Sequence, residues 1–358
     1  MATRKNTTQS TSPSGKQGTT KKINLALQGG GSHGAFAWGV LDKLLEDGRL
    51  QIEAVSGTSA GSMNAAALAF GSIGGPEAAR EKLHDLWQAV SASGKQFNPL
   101  GQMPWQPDHP GGKLLSAMAS LWFRAMTHTF SPYQLNPQNF NPLRDVLVQQ
   151  VDFERMNAQS RIKLFLAATN VRSGKVKVFG INEPISADMV MASACLPQLF
   201  RSVEVDGEFY WDGGFMGNPV LYPLFYYTES CDVLIVHINP IERDGPPITA
   251  DDIMNRVNEI TFNASLMKEL RAVHFVQKMM DEGWIKDEFM NKLKYVLIHS
   301  LRADLALSDL SASTKFSSDW GFLTMLRDRG REHAAIWLNE HFDDVGKRST
   351  VNLATEFL

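Results

Sequence analysis

Only two cysteines, Cys195 and Cys231, occur in 358 residues, too few for a disulfide framework and without the spacing of a metal site. No H-E-x-x-H or comparable ligand cluster is present, so neither a catalytic metal nor any other cofactor is expected. Long apolar runs are also missing: the longest uncharged candidate, residues 213–228, contains Pro219 and Pro223 and is too short to span a bilayer. Neither sign of charge dominates, with 35 Lys and Arg against 38 Asp and Glu. That balance argues against a nucleic-acid partner and against an acidic solvating chain. Residues 1–20 hold no acidic residue and almost no apolar one, which cannot offset the entropy of ordering, so residues 1–22 are expected to form a disordered tail. Their basic start is not followed by an apolar stretch, which leaves no secretory signal; a Ser/Thr-rich organellar transit peptide is the minor alternative to a cytoplasmic location.

What is present is a globular composition, 43% hydrophobic, opening on a β-α-β-α pattern. A short apolar strand at residues 23–27 runs into QGGGSHG (28–34), and a helix follows over 35–46. After an Asp47-Gly48 turn, a second strand (52–55) enters Gly57-Thr58-Ser59-Ala60-Gly61, and the alanine-rich stretch to Phe70 reads as a helix. This opening predicts an α/β fold, three layers α/β/α around a mainly parallel sheet. G-x-S-x-G between a strand and a helix is a nucleophile elbow, which lifts the Ser59 hydroxyl to the end of the sheet. At a helix N-terminus, unpaired amides and the macrodipole favour an alkoxide or a tetrahedral oxyanion.

Gly29, Gly31 and Gly34 also satisfy G-x-G-x-x-G, the fingerprint of a dinucleotide-binding turn. Such a site calls for an acidic residue at the end of the second strand, whereas this strand has Glu53 at its beginning and ends in the elbow. The other use of the same physics is an oxyanion hole, in which glycine amides converge on a developing negative oxygen.

Further along, residues 77–90 read as a charged helix and 94–110 as a Pro/Gly-rich loop. Residues 113–126 place Leu114, Leu115, Met118, Leu121, Trp122 and Met126 on one helical face, inside an inserted helical segment near 95–140. Strands are expected at 162–170, 175–179, 232–239 and 295–299, with helices at 141–151, 189–194, 249–282 and 320–340. Residues 203–212 read as a hairpin that ends in Asp212-Gly213-Gly214, a carboxylate followed by two residues that let another backbone or a ligand come close. On its own this also reads as an aspartate capping a turn.

The Gly loop, the elbow and Asp212-Gly213-Gly214, in that order, resemble the patatin-like phospholipase family. Ala192-Ser193-Ala194-Cys195-Leu196-Pro197 looks like the A-S-x-x-x-P segment that such proteins carry before the aspartate. The resemblance implies a catalytic domain over 23–345, a C-terminal tail at 346–358, and lipid acyl hydrolysis by a Ser-Asp dyad without a catalytic histidine. It implies Ser59 as nucleophile, Asp212 as base, amides of Gly29, Gly30, Gly31 and Ser32 as the oxyanion hole, and Gly34, Gly57, Gly61, Gly213 and Gly214 as supports. The apolar face of the helix at 113–126 reads either as packing on the domain or, through Met118, Leu121 and Trp122, as an acyl contact; a phospholipid or other acyl ester is the expected substrate, with a peripheral membrane contact. One departure is visible: His33 stands where many members have arginine. Two other outcomes remain open at this stage, an acyltransferase to an alcohol or carrier and a silent lipid-binding module. A triad through His237 or His299 is the mechanistic rival.

Overall fold

The structure is a computed structural model that describes residues 20–97, 129–290, 292–304, 306–307, 310 and 312–358. The N-terminal nineteen residues and the helix expected at 113–126, with Met118, Leu121 and Trp122, lie outside the described residues.

Buried parallel strands read as nearly continuous apolar runs, and the central strands here are of that kind. The first unit is β1 (Lys21–Leu27), α1 (Gly34–Asp47), β2 (Leu50–Gly57) and α2 (Ala60–Gly71), followed by α3 (Pro76–Phe97), α4 (Pro142–Gln150) and α5 (Phe153–Gln159). Then come β3 (Lys163–Asn170), β4 (Val176–Phe179), α6 (Ala187–Ser193) and the hairpin β5 (Val203–Val205) and β6 (Glu208–Asp212). The chain continues with β7 (Asp232–His237), the 32-residue α7 (Ala250–Asp281), β8 (Leu297–Arg302) and α8 (Trp320–His341), and a short helical turn at Leu353–Glu356 follows.

The sheet runs β5-β6-β3-β2-β1-β7-β8, with β4 paired to β3. All pairings from β3 through β2, β1 and β7 to β8 are parallel, whereas β4, β6 and β5 join antiparallel. The three-layer, mainly parallel α/β/α expectation therefore holds. Alternation splits the core in two. Leu25, Leu27, Leu234 and Val236 pack with α1, α2, α3 and α8, while Ala26, Phe165, Val233 and Ile235 pack with α7. Leu266 and Leu270 of α7 are fully buried there, each contributing about 1.5–3 kcal/mol. Helix starts are fixed locally: Thr249 caps α7 by accepting the Asp252 amide at 3.1 Å, and Asp319 caps α8 through Phe322 at 2.8 Å.

Several boundaries differ from the sequence reading; β2, for example, runs over Leu50–Gly57 rather than 52–55. Gly94 does not end α3, which continues to Phe97. Strand β8 begins at Leu297 and ends at Arg302, later than 295–299, because its last turnless residues Ser300 and Arg302 carry no apolar signal. Residues 346–358 pack on the second face of the sheet: Leu353 and Phe357 are buried, and the Thr350 amide donates to the Ile298 carbonyl at 3.1 Å.

The order matters for the site. From β1 the chain steps outward through β2 to β3, then returns to the opposite side of β1 as β7. Open α/β sheets bind ligands at such a switch point, outside the carboxyl ends of the strands. The loop leaving β1 is QGGGSHG.

Candidate active site

β2 ends at Gly57, and Ser59 follows with φ 55° and ψ −123° immediately before α2. A non-glycine residue rarely takes this backbone, and holding it there costs about 1–3 kcal/mol unless neighbours over-determine it. They do. The Thr58 hydroxyl donates to the Gly217 carbonyl at 2.8 Å, the Ser56 hydroxyl to Val220 at 2.5 Å, and the Ser62 hydroxyl to the Ser59 carbonyl at 2.6 Å. The Ser59 amide donates to the Ser193 hydroxyl at 3.1 Å. Gly61 lies in the first turn of α2 against the Leu27 carbonyl, and Gly34, at the start of α1, faces Ala60.

Asp212 closes β6, paired with Ala168 of β3. Its amide donates to the Cys195 carbonyl at 2.7 Å, and its Oδ1 accepts the Gly214 amide at 2.7 Å. Gly213 and Gly214 begin the turn that follows; a side chain on Gly214 would collide with the Phe262 ring of α7. Oδ2 is buried with no donor at full bonding geometry. Burial pushes the carboxyl up to about 6, with the Gly214 amide and the Ser59 hydroxyl pulling the other way. The carboxylate thus feels Ser59 without a tight bond to it.

The Gly loop is anchored by polar residues from distant parts of the chain. Gln28 is fully buried; its Oε1 accepts the amides of Ile238 and Asn239 at 2.8 and 3.0 Å, and its Nε2 donates to Asn263 Oδ1 at 3.0 Å. The Gly29 amide donates to Asn218 Oδ1 at 2.6 Å, and the Gly29 carbonyl accepts Asn239 Nδ2 at 2.8 Å. That bond removes the Gly29 amide from the expected oxyanion donors and leaves those of Gly30, Gly31 and Ser32. Gly31 has φ 58° and stands against the Lys315 carbonyl, so a side chain there would be strained and would clash. The Lys315 ammonium donates to Asn239 Oδ1 at 2.8 Å, and burial pulls its pKa down to about 8. His33 bonds the Thr314 hydroxyl at 2.7 Å through Nε2.

The rival histidines lie elsewhere. His237 is buried at the end of β7, stacks on Phe357 at 5.7 Å, and is driven by burial down to about 3, hence neutral. His299 bonds Asp232, at the start of β7, at 2.9 Å. Neither bonds Ser59 or Asp212. Cys195 is also buried, its thiol pushed up to about 12 by desolvation and donating to the Arg201 carbonyl at 3.0 Å, which makes it inert as a nucleophile.

The residues that sequence reasoning missed are Ser193 in its supporting role, Asn218, Asn239, Asn263 and Lys315. Ser193 lies in a motif visible in the sequence. The others act through contacts between residues 76 to 235 positions apart.

A scan against family models matches patatin-like phospholipase over residues 25–224, more than half of the chain. The chain belongs to the patatin-like phospholipase family. The matched stretch runs from β1 past Asp212 and includes the Gly loop, the elbow and the Asp-Gly-Gly turn. No curated protein matches the sequence. Among solved structures, the patatin-like chain is similar to VipD from Legionella pneumophila, with 16% identity and a TM-score of 0.39, covering 89% of this chain and 67% of that one. It is also similar to ExoU in complex with SpcU, from the type III secretion system of Pseudomonas aeruginosa, with 17% identity and a TM-score of 0.31, covering 89% of this chain and 53% of that one. The chain spans between about half and two thirds of the length of those proteins.

Proposed function

We propose that this patatin-like protein hydrolyses the carboxylic ester bonds of lipids through Ser59 and Asp212. The observation that carries the reading is the strained Ser59 at the start of α2, facing a buried carboxylate whose Oδ2 has no other donor. In this reading Asp212 Oδ2 takes the proton of the Ser59 hydroxyl as its oxygen attacks the ester carbonyl. The tetrahedral oxyanion is held by the amides of Gly30, Gly31 and Ser32. Collapse expels the alcohol, which leaves with the proton from Asp212, and an acyl-Ser59 intermediate remains. Water then attacks with Asp212 again as base, releasing the fatty acid and restoring the serine.

The usual aspartate pKa, ~3.9, makes a weak base at neutral pH. Burial raises Asp212 to about 6, which improves it as a proton acceptor while leaving it ionised at pH 7. The catalytic unit in this reading begins at β1 and includes residues 346–358 as packed structure. No helix among the described residues is long and apolar enough to cross a membrane.

The test is hydrolysis of a soluble short-chain ester and of phospholipid vesicles by wild type, Ser59→Ala, Asp212→Asn and the double variant. Both single variants should lose activity to a similar floor, with the double little worse, because the pair works as a unit. Wild-type rates in Asp212→Asn protein that is folded by circular dichroism would overturn the dyad.

A further inference from the structure

Most long helices on the flank of an α/β domain bury one stripe and solvate the other with charges of both signs. α7 departs from that pattern on its outer face. Ile253, Val257 and Ile260 are 45%, 49% and 54% exposed, and Met254 beside them is 52% exposed. At 100° per residue, the same outward stripe continues through Ala264, Lys268, Arg271, Phe275 and Lys278. Phe275 is 55% exposed, and Lys268, Arg271 and Lys278 are exposed as well. From Ile253 to Lys278 the stripe is ~38 Å long.

No acid interrupts it. Between Asp252 and Asp281 the helix has two carboxylates, Glu259 and Glu269, and both are turned inward. Glu259 is buried and paired with Arg243 at 2.7 Å and Arg256 at 3.2 Å. Glu269 accepts the amides of Leu221 and Tyr222 at 2.8 and 3.0 Å. Lys268 and Arg271 have no ion-pair partner among the described residues, and Lys278 has only a loose one, Glu282 at 3.7 Å. The face therefore carries an uncompensated positive half and an apolar half.

The apolar half lies at the catalytic end. On its inner side α7 reaches the proposed site at Phe262, which packs against Gly214 and stands 5.7 Å from the Phe215 ring, and at Asn263, which bonds Gln28 beside the Gly loop. Ile253 is nine residues, or ~13 Å, further along the axis. Met216, just past the Asp-Gly-Gly turn, is 42% exposed.

We propose that the outer face of α7 docks on an anionic phospholipid bilayer, with Ile253, Val257 and Ile260 inserted among the acyl chains and Lys268, Arg271 and Lys278 on the headgroups. The proposal deepens the lipid-hydrolase reading and rests on it for the choice of occupant. Apolar insertion beside unpaired cations is the chemistry of an interfacial helix. Each basic residue near an anionic surface contributes on the order of 1 kcal/mol. Docking in this pose brings the catalytic end of α7, whose inner side reaches the proposed site at Phe262 and Asn263, to the bilayer, with the site about one helix diameter, ~10–12 Å, from the surface.

The experiment is sedimentation of the full chain with vesicles of phosphatidylcholine alone and of phosphatidylcholine mixed with phosphatidylglycerol. It uses wild type, Val257→Ser/Ile260→Ser and Lys268→Glu/Arg271→Glu, and repeats the measurement with Ser59→Ala to separate docking from hydrolysis. Wild type and Ser59→Ala should bind the mixed vesicles alike and lose binding as salt is raised. Each double variant should bind about tenfold or more weakly, while its melting temperature and its rate on a soluble ester stay at wild type. Failure of wild type to bind the mixed vesicles, or binding by either double variant as tight as that of wild type, overturns the proposal. So does a shift from dimer to monomer in Val257→Ser/Ile260→Ser with vesicle binding intact, which assigns the face to a second copy of the chain. Vesicle binding without any ester hydrolysis would instead sink the dyad and leave the docking face standing.

Discussion

The Ser59 amide donates to the Ser193 hydroxyl at 3.1 Å. Two residues on, the Cys195 carbonyl accepts the Asp212 amide at 2.7 Å. One short segment, the end of α6 and the turn after it, thus fixes both halves of the proposed dyad, although nucleophile and base come from different strands. Its sequence, Ala192-Ser193-Ala194-Cys195, suits the task because small residues let it pass closely between α2 and β6.

This bridge predicts that Ser193→Ala separates positioning from binding. Removing the hydroxyl leaves the Ser59 amide unsatisfied in a buried place, which costs about 1–3 kcal/mol. The elbow should then be less well fixed, so kcat on a soluble ester should fall by about tenfold or more while KM changes little. Steady-state kinetics with thermal unfolding measures both. A KM effect with kcat unchanged would mean that Ser193 serves substrate binding instead.

The raised carboxyl of Asp212 sets the pH dependence. Catalysis needs the ionised form, so log kcat/KM should rise with unit slope below pH 6 and level off above it. Stability runs the other way. The folded pKa, about 6, lies above the ordinary value of 3.8, so the native state binds the proton more tightly than the unfolded chain. The resulting stability is fully present below pH 3.8 and is lost as pH rises through 6. Asp212→Asn, which cannot ionise, should therefore melt above wild type at pH 7, and its advantage should shrink toward pH 4. Parallel melting curves across that range would show that Asp212 is not desolvated.

The fold class and the three motifs could be read in the sequence because each is local: a strand, a glycine-bearing turn and a helix within one short stretch. The anchoring of the Gly loop could not. Gln28, Asn218, Asn239, Asn263 and Lys315 look like ordinary polar residues until β1, β7, α7 and the turn around Lys315 converge at the switch point. The same limit explains Gly29. Its amide reads as an oxyanion donor until Asn218, 189 residues away, is seen to occupy it. The C-terminal residues, too, gained their meaning from packing, since Phe357 covers His237.

The backbone of Ser59 offers a further test. With φ 55° and ψ −123°, serine is held where a Cβ is poorly tolerated, and glycine would relax the strain. Ser59→Ala removes the hydroxyl and keeps the Cβ, whereas Ser59→Gly removes both, so the two variants differ in backbone strain and in the opposing unfolded-chain entropy of glycine. Ser59→Gly should be the more stable by about 1 kcal/mol, even though glycine elsewhere at a helix boundary gains entropy in the unfolded chain and so tends to destabilise. Denaturant titration of the two variants gives the comparison directly, with equal m-values as the check that only stability has changed. If Ser59→Ala proves as stable as Ser59→Gly, or more so, the elbow carries no strain, and the catalytic geometry must come from the Thr58, Ser62 and Ser193 hydrogen bonds alone.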